Sequence, residues 1–385
     1  MNIGVIGVGR LGICFALLLD RAGHRVRASD IRSNYVAQLA RREIQTSEPQ
    51  VADMLRVSGI EFTSDTRSVI QHSDIIYVMV ATPSRADGAY DVSAVERVVA
   101  DVAESDFDIQ GRTLVIGCTT NPGDCQRIQE QLRPRGVKVL YNPEFIAQGS
   151  IIRDLQQADI VLIGGEDPEV IAQYQQLYDD IQTRPPCVHR MSLTAAEIVK
   201  IGINCFLTTK ISCANMIGEV LTRSGLESDI DPALSAIAAD SRVGARYMRY
   251  GFGYGGPCLP RDNRAFANYA RAVGLDFDLG ATVDRFNHQH TEFLIRDLIS
   301  KNPSDLPFWM PSITYKPNTD IIEESQQLAV CQGLLAQGKT VWVRHSDLIP
   351  PHTVQDLLRQ HGDRVRFIKA DDPVLGQTEL YSVLL

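Results

Sequence analysis

The hydrophobic and polar positions of the first thirty residues predict a strand, a glycine turn, a helix and a second strand. An apolar run opens the chain in "MNIGVIGVG", the spacing from Leu11 to Arg21 is helical, and "HRVRASD" is a strand ending at Asp30. Further apolar runs alternate with helical patterns and predict strands at 74–83, 113–120, 138–145 and 159–165. This alternation predicts an α/β fold with a parallel, doubly wound sheet.

The middle of the chain changes to long helical periodicity. The segment 192–225 reads as one helix that is apolar around much of its circumference, which predicts burial between layers. Thr194 and Glu197 have the spacing of a capping box at its start, and Gly225 is a candidate stop. Shorter helices follow, and "RAFANYARAVG" reads as another. At roughly 150 residues per domain, 385 residues indicate two or three domains.

The glycine turn has the spacing of a dinucleotide site. Gly7 permits a tight turn, Gly9 lets the backbone approach a pyrophosphate, and Gly12 allows close packing of helix and strand. A lone motif of this kind also fits a glycine turn in another α/β protein. The helix that begins inside the motif and the acidic end of the next strand favour the dinucleotide interpretation. The N-terminus of that helix would offer N–H groups to the anion, first at Arg10 and Leu11.

The end of the second strand bears on the choice of cofactor. Asp30 stands where a carboxylate accepts hydrogen bonds from the adenosine ribose hydroxyls. Its charge would repel a 2′-phosphate, so NAD is favoured, whereas the neighbouring Arg32 keeps NADP open.

Polar residues follow the later strands at the edge where parallel sheets bind ligands. They are Thr82, Thr119 and Glu144. Either threonine alone would more often be a helix cap. Glu144 is harder to explain structurally, because burying an acid at a strand end is costly without a role.

Two further groups carry candidate chemistry. Lys200 and Asn204 are four residues apart and share a face of the long helix, where a buried cation needs a partner. A structural salt bridge is the alternative. The segment "GFGYGGPCLPRD" places Cys258 behind four glycines and one turn before Asp262. The cysteine is either a small packing residue or an accessible nucleophile.

Composition and charge exclude several classes. A net charge of −9 argues against a broad nucleic-acid surface. No apolar run approaches a membrane span, and the chain begins on a strand without a signal-peptide pattern. The eight cysteines are scattered without a C-x-x-C pair, which argues against zinc and against a disulfide framework. The expected location is therefore the reducing cytoplasm.

Several motifs in one order resemble the nucleotide-sugar 6-dehydrogenases, the UDP-glucose and GDP-mannose dehydrogenases. They are "GVIGVGRLG", "SEPQ", "ATPSRADGAYDVSAV", "CTTNPG", "YNPEFIAQGSIIRD", "AAEIVKIGINCFLTTKIS", "DSRVGARYMRYGFGYGGPCLPRD" and "YKPNTDIIEES". The resemblance covers residues 1 to about 325. It implies a Rossmann-type NAD domain (1–190), a central helical domain with the long core helix and the cysteine loop (191–297), and a smaller C-terminal Rossmann-like domain (298–385).

The resemblance also implies a mechanism. The family oxidises a sugar C6 alcohol to a carboxylate in two NAD-dependent steps through a covalent thioester. Cys258 would attack the C6 aldehyde, and Lys200 and Asn204 would stabilise negative charge at the C6 oxygen. Asp262 would order Lys200 and a water molecule. The expected substrate is UDP-glucose, followed by a UDP-N-acetylhexosamine or GDP-mannose.

Other residues receive roles from the same resemblance. Glu144 would act in acid–base steps, and Thr119 would position the hydrolytic water. Arg242 and Tyr247 match positions that hold the nucleotide-sugar, and the arginine often reaches a neighbouring subunit. The remaining candidates for the substrate are Phe145, Ile146, Gly255 and Lys316. Those for the cofactor, besides the glycine turn, Asp30 and Arg32, are Thr82, Thr119 and Gln148.

The chain departs from the family pattern in three places. Gln148 replaces a glutamate and cannot take a proton, so a base role would shift to Glu144 or Asp262. Arg261 replaces a lysine. In the last domain Ser312 replaces a glycine and Glu323 an arginine that would face the cofactor pyrophosphate, "RHS" stands for "YDP", and the tail is shortened.

The sequence leaves three functions open. The first is an NAD-dependent nucleotide-sugar dehydrogenase producing a uronate. The second keeps the chemistry but acts on an unusual nucleotide-sugar or another polyol, and could stop at the aldehyde. The third is a catalytically weak paralogue that binds cofactor or sugar nucleotide. By analogy the long helix also predicts a homodimer or larger oligomer.

Overall fold

The computed structural model describes residues 1–46, 48–146, 149–316 and 319–383, so the prediction for Gln148 lies outside the described residues. The chain forms two compact units, Met1–Ile201 and Gly202–Leu385. In the described residues, no helix has the length and apolar character needed to cross a membrane.

The first unit is built on an eight-stranded sheet. Its strand order is β3-β2-β1-β4-β5-β6-β7-β8, and the first six follow the order of dinucleotide-binding folds. All residues of β4 and β5 are buried, as expected for strands covered on both faces. The strands are β1 Asn2–Ile6, β2 Arg25–Ser29, β3 Glu61–Thr63, β4 Ile75–Val78, β5 Thr113–Ile116, β6 Lys138–Tyr141, β7 Ile160–Gly164 and β8 Cys187–Met191.

Helices cover this sheet, and their apolar faces form one core with it. Phe15 packs edge-on against Tyr77, with ring centroids 4.6 Å apart, and Tyr174 and Tyr178 extend the aromatic cluster. The helices are α1 Arg10–Arg21, α2 Ser33–Ala40, α3 Val51–Val57, α4 Thr66–His72, α5 Ser93–Ala103, α6 Asp124–Leu132, α7 Ile151–Gln156 and α8 Pro168–Asp179.

The expectation of a parallel sheet is wrong at its far edge. Strand β7 pairs antiparallel with β6 through Tyr141 and Gly164, and β8 is parallel to β7. The intervening helix α7 buries Ile151, Ile152 and Leu155 in the core that includes α1. The chain then enters β7 in the reverse direction.

Helix α9, Leu193–Arg223, begins in the first unit and continues into the second. The expected capping box is wrong, because Glu197 does not cap α9. Its carboxylate accepts hydrogen bonds from the Thr120 hydroxyl at 2.7 Å and from the backbone N–H groups of Gly123 and Cys125 at 2.7 and 2.9 Å. Glu197 therefore caps the start of α6 from a buried position.

The second unit carries a smaller parallel sheet of order β11-β10-β9-β12, the same order as the first four strands of the large sheet. Helices α12 and α13 pack on it around Phe308, Leu334 and Val343. The elements are α10 Ile230–Ala239, α11 Leu259–Ala272, α12 Leu279–Ser300, β9 Phe308–Met310, α13 Gln326–Ala336, β10 Val341–Arg344, α14 Pro351–His361, β11 Val365–Ile368 and β12 Tyr381–Ser382.

Candidate active site

The glycine turn between β1 and α1 leaves room for a ligand on one side only. Gly7 has φ +94°, and a Cβ there would lie 2.5 Å from the Met79 carbonyl oxygen. A Cβ at Gly12 would lie 2.0 Å from the Gly7 carbonyl oxygen, whereas one at Gly9 would meet nothing within 4 Å. Arg10 begins α1 directly after Gly9, which makes no side-chain cap. The turn therefore fits a pyrophosphate at a helix N-terminus.

Asp30 and Arg32 form an ion pair with each other at the end of β2. Asp30 is 8% exposed and accepts hydrogen bonds from the Arg32 amide, Nε and Nη2 at 3.0, 2.8 and 2.9 Å. Burial acts to raise the pKa of Asp30, but the hydrogen bonds and charge of Arg32 outweigh burial and lower it. Because Asp30 already neutralises Arg32, the pair favours a ribose hydroxyl over a 2′-phosphate.

Three predicted polar residues follow adjacent strands, since β4 pairs with β5 and β5 with β6. Thr82 is buried beyond β4, Thr119 is half-buried beyond β5, and Glu144 is buried beyond β6. The structure thus brings these residues to the carboxyl edge of the sheet, where ligands bind in open α/β folds.

The Glu144 carboxylate has a buried tyrosine as its partner. The Tyr178 hydroxyl lies 3.0 Å from both Glu144 oxygens. Burial raises the pKa of Glu144 to about 7, against the opposing effects of the Tyr178 hydrogen bond and the positive charge of Lys200. A carboxylic acid with this pKa can take up and release a proton near neutral pH.

Lys200, the cation predicted to stabilise charge at the C6 oxygen, contacts this strand end. Its Nζ donates a hydrogen bond to the Glu144 carbonyl oxygen at 2.8 Å and lies 4.8 Å from the centroid of the Phe145 ring. The ammonium is therefore held by a backbone oxygen and an aromatic face rather than by a carboxylate. The alternative of a structural salt bridge does not describe this contact.

We expect the Tyr178→Phe variant to shift the pH dependence of turnover. The hydroxyl lowers the pKa of Glu144, so its removal raises that pKa further above the ordinary value. If Glu144 acts as a base, activity falls as the pH drops through its pKa, and the acidic limb of the kcat profile moves up by roughly 0.5 to 1 pH unit. The matched control is Tyr174→Phe, which removes a buried hydroxyl bonded to Asn142. Equal profiles for both variants and the wild type would exclude the base role.

In the second unit, Asn204 and Asp262 are in direct contact. Asn204 Nδ2 donates a hydrogen bond to Asp262 Oδ2, and the Asp262 carbonyl oxygen accepts one from the Cys205 thiol at 3.7 Å. Asp262 is only 3% exposed. A buried carboxylate thus orients an amide on α9, and Asn204 follows Lys200 by one helical turn.

Cys258 stands at the start of α11, where it is the N-cap residue and is exposed. Its carbonyl oxygen accepts the Asp262 amide at 2.9 Å, so Asp262 lies one turn into the helix, as predicted. The positive end of the helix dipole favours a thiolate over a thiol at this position. The location therefore suits a nucleophile better than a packing residue.

Side chains from α9 and α12 hold the glycine-rich segment before Cys258. The Gly251 amide donates to Asn215 Oδ1 at 3.1 Å, and the Gly251 carbonyl oxygen lies 2.8 Å from His290 Nε2. Asn287 bonds both the amide and the carbonyl of Tyr254, at 3.0 and 2.9 Å. The segment is thus held at Gly251 and at Tyr254 by side chains of α9 and α12.

Two of its glycines are required by protein contacts. A Cβ at Gly255 would lie 2.3 Å from the Glu324 carbonyl oxygen. Gly256 has φ +80°, and a Cβ there would lie 2.5 Å from the Tyr315 ring. Burial, followed by the charge of Cys258, raises the pKa of Tyr315. The contacts with Glu324 and Tyr315 already explain why glycine stands at these two positions. Contact between Gly255 and a substrate stays a prediction.

The other predicted substrate residues are dispersed. Arg242 is exposed and paired with Asp240, with Nη2 2.6 Å from Oδ2. Tyr247 is exposed with φ +66°, and Lys316 is exposed. Phe145 and Ile146 are half-buried beside Glu144. Their roles stay predictions.

Two of the chain's departures from the family pattern are resolved structurally. Glu323 is exposed to solvent, whereas the next residue, Glu324, forms a bidentate pair with Arg264 at 2.7 Å for both bonds. The Arg261 Nη1 lies 3.4 Å from the Pro257 carbonyl oxygen and so contacts the cysteine loop.

Sequence reasoning missed the roles of three residues that hold this part of the first unit: Tyr178, Glu197 and Glu48. Glu48 accepts the backbone N–H groups of Gly149 and Ile151 at 2.9 and 2.6 Å and so holds the start of α7. Burial raises the pKa of Glu197, whose hydrogen-bonding neighbours Thr120, Gly123 and Cys125 are far away in sequence.

Comparison with known proteins identifies the family. The model for the NAD binding domain of the UDP-glucose/GDP-mannose dehydrogenase family matches residues 1–182, and that for its central domain matches 194–289. The UDP-glucose 6-dehydrogenase of Rhizobium meliloti is 30% identical over 360 residues, 89% of this chain and 80% of the relative. The chain belongs to the UDP-glucose/GDP-mannose dehydrogenase family. The predicted family, the α/β fold class and the NAD cofactor are thereby confirmed.

Two more members of the family show how much of the chain is shared. The putative UDP-glucose 6-dehydrogenase YtcA of Bacillus subtilis is 28% identical over 389 residues, 98% of this chain and 89% of YtcA. The structure of a UDP-glucose dehydrogenase from Pyrobaculum islandicum superposes with a TM-score of 0.84 at 25% identity, covering 99% of this chain and 89% of that one. The likeness therefore includes the second, smaller sheet.

Proposed function

We propose that this chain oxidises the C6 alcohol of a nucleotide-sugar to a carboxylate with NAD, and that UDP-glucose, converted to UDP-glucuronate, is its first substrate. The observation that carries the proposal is Cys258, an exposed thiol at the start of α11 and one turn from the buried Asp262 that holds Asn204. UDP-glucose is preferred because the relatives from R. meliloti and B. subtilis carry that substrate in their names.

NAD, when bound at the glycine turn, accepts a hydride in each oxidation, so one sugar alcohol and one water give a carboxylate, two NADH and three protons. The chain's own residues act on the sugar. Cys258 as thiolate adds to the C6 aldehyde and forms a carbon–sulfur bond, which gives a thiohemiacetal. After the second oxidation the same bond belongs to a thioester. Water cleaves it and returns the thiol.

Proton transfer and charge stabilisation fall to the residues around β6 and α9. Glu144, with a pKa near 7, takes the proton from the attacking water or the sugar hydroxyl. Lys200 and Asn204 donate hydrogen bonds to the C6 oxygen as negative charge develops there. Thr119 positions the water, and Asp262 keeps the Asn204 amide directed toward the sugar.

The substrate assignment is tested by kcat/KM over a panel of UDP-glucose, UDP-N-acetylglucosamine, UDP-N-acetylmannosamine and GDP-mannose. We expect UDP-glucose to exceed the others by at least tenfold. A higher kcat/KM for another nucleotide-sugar of the panel would make that sugar the substrate instead. No turnover with any of them would favour a chain that binds sugar nucleotides without oxidising them.

We further propose that the protein is a homodimer that pairs through α9. The expected burial of this helix is incomplete, because Phe206, Met216 and Val220 are 70, 49 and 58% exposed. Apolar side chains along one helix are more often covered by a partner than left in water. Sedimentation equilibrium should give twice the chain mass, and Phe206→Glu should reduce it toward the monomer. A monomeric wild-type protein at micromolar concentration would contradict the pairing.

A further inference from the structure

The second unit contains a small polar cavity at the carboxyl end of its own sheet. The cavity measures about 230 Å³ and lies between the residues that follow β9 and those that end and follow β10. Its polar lining consists of Ser312, Thr314, Thr319, Arg344, His345 and Ser346. Among the described lining residues there is an arginine and a histidine but no carboxylate. The wall is therefore suited to an anion.

Hydroxyl groups that are hydrogen-bonded within one loop form one side of this cavity. Ser312 Oγ lies 2.8 Å from Thr314 Oγ1 and accepts the Thr314 amide at 3.1 Å. The hydroxyls of Thr314 and Thr319 both donate to the Lys316 carbonyl oxygen, at 3.0 and 2.9 Å. Their protons are used within the loop, so this side supplies shape rather than donors.

The donors come from the opposite side, at the end of β10. Arg344 and His345 are exposed and make no side-chain hydrogen bond or ion pair with the described residues. Ser346 Oγ accepts the Leu348 amide at 3.3 Å, which leaves its own proton to donate. An arginine fork and a hydroxyl, with a histidine beside them, match the oxygens of a phosphate group.

The topology indicates which ligand belongs there. The small sheet repeats the order of the first four strands of the large sheet, so β10 corresponds to β2. In the large sheet Asp30 follows the second strand, where an acid reads ribose hydroxyls; an arginine near this place accommodates a 2′-phosphate. The small sheet has Arg344 at this place. A volume below the ~300 Å³ of ordinary ligand pockets excludes a whole dinucleotide.

We propose that this cavity is a second anion site, which binds a phosphate monoester through Arg344, His345 and Ser346. It requires neither the glycine turn nor Cys258. Because the Arg344 charge faces solvent, binding is weak and decreases as the ionic strength rises.

The proposal is tested by calorimetric titration of the full chain, saturated with NAD, with inorganic phosphate, adenosine 2′-monophosphate and adenosine. Both phosphates should bind and adenosine should not; tighter binding of the nucleotide identifies a nucleotide phosphate, and equal binding a free one. Arg344→Gln should weaken phosphate binding by about ten- to a hundredfold. The matched control is Arg359→Gln, an exposed arginine of the same unit that pairs with Asp356, and it should leave binding unchanged.

Three results would overturn the proposal: no phosphate binding by the wild-type protein, equal affinity in Arg344→Gln and the wild type, or equal losses in both arginine variants. Thermal melting of both variants checks that they fold. Arg344 makes no side-chain hydrogen bond or ion pair with the described residues. The melting temperature of the Arg344→Gln protein should therefore match that of the wild type.

Discussion

The Cys258→Ala variant should lose carboxylate formation by at least a thousandfold, because alanine offers no nucleophile to the C6 aldehyde. The same loss is expected for Cys258→Ser, since a serine hydroxyl ionises far less readily than a thiol. The measurement is the rate of uronate release with NAD and UDP-glucose, followed by chromatography.

This loss can be separated from unfolding. Cys258 is exposed, so its replacement should change the free energy of unfolding by less than about 0.5 kcal/mol. The matched control is Cys187→Ala, another exposed cysteine, whose sulfur lies 3.4 Å from His189. Retained uronate formation in Cys258→Ala would remove the thioester from the mechanism.

The second large effect is expected for Lys200→Met, which keeps the length of the side chain and removes its charge. Losing one preorganised donor to a developing oxyanion costs about 10²- to 10³-fold in kcat, with a smaller change in KM. The positive charge of Lys200 also lowers the pKa of Glu144. The acidic limb of the variant's kcat profile should therefore move to higher pH.

Lys210→Met is the matched control for this change. Lys210 lies on the same helix, and its Nζ donates to the carbonyl oxygens of Val243 and Gly244 at 2.8 and 2.9 Å. We expect it to keep kcat within a few-fold of the wild type. Similar losses in the two lysine variants, or an unmoved pH profile in Lys200→Met, would assign Lys200 to structure alone.

The parts of the fold that depend on local sequence were predictable. Gly12 packs on the Gly7 carbonyl oxygen within the same turn, and Asp30 stands at the end of the next strand. The spacing of Cys258 and Asp262 likewise follows from one helical turn. Such features are encoded by neighbours along the chain.

Features that depend on distant pairs were not predictable. Nothing near Glu144 in sequence indicates that Tyr178 bonds it, and Glu197 was assigned to its own helix although it caps α6. The reversal of β7 depends on how α7 packs rather than on any periodicity. At Gly255, similarly, the backbone of Glu324 fixes the need for glycine from 69 residues away.

In the proposed function, the Cys258 thiol turns a single alcohol oxidation into a four-electron one. The most direct measurement is the number of NADH molecules formed for each UDP-glucose consumed, with limiting sugar and excess NAD, read at 340 nm beside chromatography of the products. We expect two NADH and one UDP-glucuronate, with no free aldehyde. One NADH with accumulation of the C6 aldehyde would contradict it.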